Sequence, residues 1–158
     1  QSRVEQAFTD IKAKYSGTPQ ADMAGFALAK TMQEAGNLDA AKSALGWVAE
    51  QSTDAGYKAI AKLRLSSVLM EQKQFDAALQ QLQGSFPPEF EGVAADRKGD
   101  VLMLLDRRSD AAVEYGRAYK ALDETIEYRR MVEVKLNALG VDPQSTSSGA
   151  IASPDVKK

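Results

Sequence analysis

The 158 residues contain no cysteine and no histidine. These two absences remove thiol catalysis, disulfides, Ser-His-Asp triads and the usual zinc sites together. A chain without thiols suits an oxidising compartment, although it does not fix one. Aromatic residues make up only 7% of the chain against 44% hydrophobic in total, which leaves an aliphatic core. No charge of one sign predominates: 20 basic and 22 acidic side chains give a formal net charge of −2, with no long-range pull toward nucleic acid or an anionic membrane. No apolar run reaches the roughly 18 residues that a membrane-spanning helix needs. No signal peptide is visible, and the chain opens Gln1-Ser2-Arg3 without an initiator Met. It reads as an excised or processed piece whose targeting segment would lie upstream.

Ala, Leu, Gln, Lys and Glu dominate, a composition that favours helix. The organising stretch is Glu71 to Leu82, the end of one helix, a polar turn and the start of another, with Phe75, Ala78, Leu79 and Leu82 at helical spacing. Eight helices are expected. They cover residues 2–15, with the stripe Val4, Phe8, Ile11 and Tyr15, then about 20–35, 38–51, 55–72, 75–83, 89–105, 109–122 and 124–139. Ser16-Gly17-Thr18-Pro19, Gly36-Asn37, Ser52-Thr53-Asp54, Phe86-Pro87-Pro88 and Gly140 supply the stops and caps. Residues 1–140 then form one helical domain. Residues 141–158, rich in Ser, Thr and Pro, are expected to be a flexible tail that something else would have to hold.

Three turns repeat. Gly36-Asn37-Leu38-Asp39-Ala40-Ala41 aligns with Lys73-Gln74-Phe75-Asp76-Ala77-Ala78 at an offset of 37 residues, and that aligns with Asp106-Arg107-Arg108-Ser109-Asp110-Ala111 at 33. Small residues fall in register at Ala29, Ser66 and Gly99 and at Ala41, Ala78 and Ala111, and Leu45, Leu82 and Tyr115 share one position. A helix-turn-helix unit of about 34 residues is the tetratricopeptide repeat. The expected fold is all-α: about three such units in a right-handed α-solenoid, with an N-terminal helix at the front and a C-terminal helix capping the rear. A plain helix bundle is the competing reading. Gly25 stands where a Trp is usual, and Arg108 replaces the Leu38 and Phe75 of the other turns.

In such a stack the first helix of each pair lines the concave face. Helical spacing nominates Met23, Phe26, Lys30 and Gln33, then Ile60, Leu63, Ser67 and Met70, then Val93, Asp96, Asp100 and Met103, as a protein-binding groove. Periodicity alone does not separate groove from core. The Lys/Asn clamp that holds C-terminal carboxylates in some repeat proteins is missing, since its places hold Phe26 with Lys30, Leu63 with Ser67, and Asp96 with Asp100. Asp96 and Asp100 share a helical face, but with Arg97 and Lys98 beside them and no third ligand they read as a solvated or salt-bridged pair. Tyr128-Arg129-Arg130 reads as the wet face of the capping helix. Arg107-Arg108 is too short for a nucleic-acid patch, and neither a phosphate loop nor a nucleophile elbow occurs. No catalytic group, cofactor or metal is expected.

The stretch Lys58-Ala59-Ile60-Ala61-Lys62-Leu63-Arg64-Leu65, the turn Gln72 to Leu79, Val93-Ala94-Ala95-Asp96-Arg97-Lys98-Gly99-Asp100 and the ending Val134-Lys135-Leu136-Asn137-Ala138-Leu139 resemble the YfgM family, bacterial ancillary subunits of the SecYEG translocon, over residues 1–140. The resemblance implies a short cytoplasmic N-terminus, one membrane-spanning helix and a periplasmic repeat domain, of which this chain would be the last part. It also implies inner-membrane localisation facing the periplasm. The implied partners are the translocon, the chaperone PpiD and unfolded secreted chains, with a link to envelope stress signalling. It carries no catalytic residues. A scaffold role in another envelope assembly is the alternative to a chaperone or adaptor.

Overall fold

A computed structural model describes residues 3–143; the expected tail beyond, 144–158, lies outside the described residues. Among the described residues there are eight helices and no strand: α1 (Arg3–Tyr15), α2 (Pro19–Glu34), α3 (Leu38–Gln51), α4 (Ala55–Glu71), α5 (Phe75–Gln81), α6 (Pro88–Leu104), α7 (Arg108–Ala121) and α8 (Glu127–Ala138). Side-chain caps set three starts. Thr18 accepts from the Ala21 N–H ahead of Pro19, Asn37 from Ala40, and Asp54 from Tyr57.

The three sequence-related turns share one backbone device. Gly36, Lys73 and Asp106 hold φ of +75°, +60° and +57°. In each turn that residue's N–H returns to the carbonyl three back, and the next N–H returns five back: Asn37 to Met32 at 2.8 Å, Gln74 to Leu69 at 2.8 Å, Arg107 to Leu102 at 2.9 Å. This Schellman geometry satisfies the last carbonyls of the first helix and reverses the chain. Gly140, with Val141 N–H to Leu136 at 3.1 Å, closes α8 the same way. The unequal offsets now have a cause. α4 and α6 are both 17 residues long, whereas α5 has 7 against 14 in α3 and α7. The second offset is short because the second hairpin's outgoing helix is truncated.

Close helix approach rests on the small residues. Ala41, Ala78 and Ala111 are fully buried, as are Ala29, Ser66 and Gly99 or nearly so. Facing positions trade volume: Ala29 and Ser66 accompany Leu45 and Leu82, whereas Gly99 accompanies Tyr115, and a Cβ on Gly99 would overlap the Tyr115 ring. Gly25, the departure from the usual Trp, has a similar purpose. A Cβ there would lie 2.5 Å from Val48 Cγ2 and 3.3 Å from Phe8, so the bare backbone is what lets α1 and α3 meet on α2.

The apolar interior falls into two clusters. The larger joins α1 to α5 and extends to Ala94 and Val101 of α6; the smaller holds Leu102, Ala111, Tyr115, Ala118, Val132 and Leu136 of α6, α7 and α8. In α1 the expected four-residue stripe is reduced to one anchor. Phe8 is buried, edge-on to Trp47 at 5.4 Å, while Val4 and Tyr15 are exposed. At the other end the packed body runs past the expected boundary at 140: Val141 packs on the smaller cluster and Pro143 is buried.

Two stability measurements follow. Lys73→Gly relieves a left-handed non-glycine backbone and is expected to raise urea-unfolding stability by roughly 1 kcal/mol, and an unchanged midpoint would contradict the strain argument. Gly99→Ser is expected to cost about 1–3 kcal/mol by overpacking, and Tyr115→Leu in the same chain, which recreates the Ser66–Leu82 pairing, should recover part of that loss. Additive losses in the double variant would show that the two positions do not compensate.

Candidate functional site

The first helices of the hairpins, with α8, are stapled to one another side by side. From α2 to α4, the Arg64 guanidinium lies 5.0 Å over the Phe26 ring, whose edge meets Tyr57 at 6.0 Å. From α4 to α6, an Arg97 Nη1 donates to Ser67 Oγ, which itself donates to the Leu63 carbonyl at 3.1 Å. From α6 to α8, Lys135 Nζ donates to Asp96 at 2.7 and 2.9 Å and to Asp100 at 2.7 Å. The Tyr128 hydroxyl donates to Asp96, and the Tyr115 hydroxyl of α7 donates to Asp100 at 2.8 Å. The four helices thus present one continuous, cross-braced face.

Several nominated groove residues turn out to build this face rather than line it. Phe26 is buried in the larger cluster. Asp96 is 1% exposed, covered by α8. It cannot be touched by a partner, because leaving a carboxylate there requires the Lys135 and Tyr128 donors that enclose it. Ser67 and Asp100 are half-buried and hydrogen-bonded within the face. Ile60, Leu63 and Met70 are half-buried with part of their surface on the larger cluster, and Met103 on the smaller. Val93 and Gln33 are half-buried, Lys30 is exposed and pairs with Glu34 at 3.9 Å, and Met23 is 57% exposed. Of the nominated apolar residues, Met23 is exposed and Val93 packs on neither cluster, whereas Ile60, Leu63, Met70 and Met103 divide their surface between core and solvent.

Spacing in the sequence singled out Leu63 and missed Arg64, Arg97 and Tyr57. The stripe Tyr57, Ile60, Arg64, Ser67 is one residue out of phase with Leu63, and an aromatic residue one or two turns from an Arg or Ser was the available signal. The capping helix also departs from expectation. Arg130 is exposed, but Tyr128 and Arg129 are drawn inward, with Arg129 4.0 Å over Tyr119 and donating to its carbonyl at 3.0 Å.

The chemistry of the acidic pair is that of a brace. The Lys135 ammonium occupies the place between Asp96 and Asp100 that a cation would take, and among the described residues no cluster of three or more His, Cys, Asp or Glu could hold a metal ion. Burial, then the hydrogen bonds to Asp100 and Asp96 respectively, push the Tyr115 and Tyr128 phenols well above their ordinary value. Unfolded tyrosines ionise near pH 10, so above about that pH the folded chain holds the extra protons and stability falls as pH rises. Urea midpoints should therefore drop on the alkaline side. Phenolate absorbance from Tyr115 and Tyr128 should appear only with unfolding; titration of all five tyrosines in the folded chain would refute the buried network.

The family model described as a tetratricopeptide repeat-like domain matches residues 1–141. Among curated proteins, the chain is similar to the ancillary SecYEG translocon subunit of Neisseria gonorrhoeae, at 29% identity over 139 residues, which is 88% of this chain and 66% of that protein. The chain thus spans just under two thirds of that relative's length. No solved structure matches. With the repeated turn, the paired small residues and the family match in agreement over nearly the same residues, the chain belongs to the tetratricopeptide repeat-like domain family.

Proposed function

We propose that this domain is a non-catalytic protein-binding module, the periplasmic part of a membrane-anchored ancillary subunit of the SecYEG translocon. In this role it assists secreted or envelope proteins as a chaperone or adaptor. The similarity to the Neisseria subunit carries the assignment to the translocon. The cross-braced face carries the binding role. A surface of four helices held by Arg64, Arg97 and Lys135 costs little further ordering when a partner settles on it, and pre-organisation of this kind is what lets a modest apolar strip bind. Three stacked hairpins capped by α1 and α8 as a right-handed solenoid would make that face concave. A PpiD-like chaperone or an emerging unfolded chain is the partner this reading implies. No helix among the described residues is long and apolar enough to cross a membrane, so any anchor would belong to another segment of the protein.

A scaffold of another envelope-biogenesis or stress-signalling complex is the second reading. It is favoured by the outer side of α8, where Met131 and Val134 are exposed although this helix ends the packed body.

Pull-down of the membrane-anchored full-length protein, with partners identified by mass, tests both readings. Met23→Glu with Val93→Glu, at residues that pack on neither apolar cluster, should reduce recovery of translocon components or clients by about tenfold. Undiminished recovery with that pair, and loss with Met131→Glu and Val134→Glu instead, would replace the first reading by the second.

A further inference from the structure

The truncated α5 leaves a notch that the braced face does not explain. Where a 14-residue helix such as α3 or α7 would continue, α5 stops after 7 residues, and the linker from Leu82 to Pro87 crosses the gap. Phe86 plugs the middle of the gap, 9% exposed, with Lys62 Nζ 5.8 Å from its ring centroid. On either side of this linker lie two hollows that share Ser85 and Phe86. One, of about 650 Å³, is walled by α6 and α7; the other, of about 460 Å³, lies along the start of α4.

Their lining is biased. Five cationic side chains face two carboxylates, and Glu114 is already neutralised by Lys98 at 2.8 Å and Arg117 at 3.4 Å. Lys58, Lys62 and Lys120 have no carboxylate among the ion pairs of the described residues, in a chain whose net charge is −2. The floor between them is apolar, formed by Leu82, Phe86 and Ala94. The linker backbone is unspent as well. Among the described residues no hydrogen bond is made by the N–H or carbonyl of Gly84, Ser85 or Phe86; Gly84 turns the chain at a φ of +86°, and Ser85 and Phe86 lie outside any helix before two prolines.

We infer that this notch is a second docking site, distinct from the braced face, which takes an extended acidic segment of a partner protein whose Asp or Glu side chains alternate with apolar ones. The lysines would receive the carboxylates, the hollows the apolar side chains, and the free linker backbone would pair with the segment's own main chain, as in strand addition. The apolar floor of Leu82, Phe86 and Ala94 argues for a peptide segment over a polyphosphate, which would leave that floor unused.

The test is fluorescence anisotropy of the whole chain with a short labelled peptide alternating Glu with Leu, beside one alternating Lys with Leu. The acidic peptide should bind in a salt-sensitive manner. Lys58→Glu with Lys120→Glu should weaken it by about tenfold or more, and Lys14→Glu on the remote α1 should leave it unchanged. Urea midpoints of the variants establish that folding is intact, and Lys120→Glu alone, on an exposed side chain, gives a smaller loss in the same direction. Equal binding of both peptides, no effect of the charge reversals, or capture of the chain by anionic vesicles through the same lysines would each overturn the proposal.

Discussion

How near two helices can come before their side chains collide is the constraint on which everything else here depends. Ala41, Ala78 and Ala111 begin each returning helix with a methyl group, and Ala29, Ser66 and Gly99 meet it with little more. Leucine at these six places would push the hairpins apart by more than a repacked core can absorb. The smallness has to be matched locally. Gly99 gives up even its Cβ because Tyr115 takes the place of Leu45 and Leu82, and the ring in turn brings a hydroxyl to Asp100. A volume exchange in the third hairpin thereby introduced a polar group to the face that α8 covers.

That polar group belongs to the network that closes the rear of the molecule. The smaller apolar cluster contains only six fully buried residues, and α8 contributes two of them, Val132 and Leu136. Lys135, between them in sequence, reaches two carboxylates. A buried charge pair of this kind is a weak source of net stability but discriminates strongly against misplacement, because a helix docked out of register leaves Asp96 without a donor. At the front, Phe8 is the buried residue of α1 among the described residues, packed edge-on to Trp47 with Lys12 over its ring.

Much of this architecture was legible in the chain. The turn alignment placed Gly36, Lys73 and Asp106 in register, and all three go left-handed, although without a glycine nothing at Lys73 or Asp106 announced that conformation. Helix bounds fell within one to three residues of expectation, because Gly, Pro and the cap residues that set them are local signals. The face was harder to read. Spacing nominated Phe26 and Asp96 for a groove and read Asp96 as one of a solvated or salt-bridged pair, but it cannot tell which neighbour leans over a residue; Arg64 comes from α4, and Lys135 from 39 residues away. The shortness of α5 was legible to within two residues, since Gly84 and the prolines beyond it stop the helix. The remaining difference arises because Gln83 continues a helical composition past Gln81, where α5 ends.

The equal length of α4 and α6 has an evolutionary consequence. Since both inner helices keep 17 residues between fixed turns, the ribs of the domain stay in step whatever happens to the segment that joins them. A change of length after the buried Ala78, at the end of α5 and in its linker, leaves the contact of α5 with α4 in place. The end of α5 and its linker is thus the place where the chain's length can change while the framework of α4 and α6 is kept.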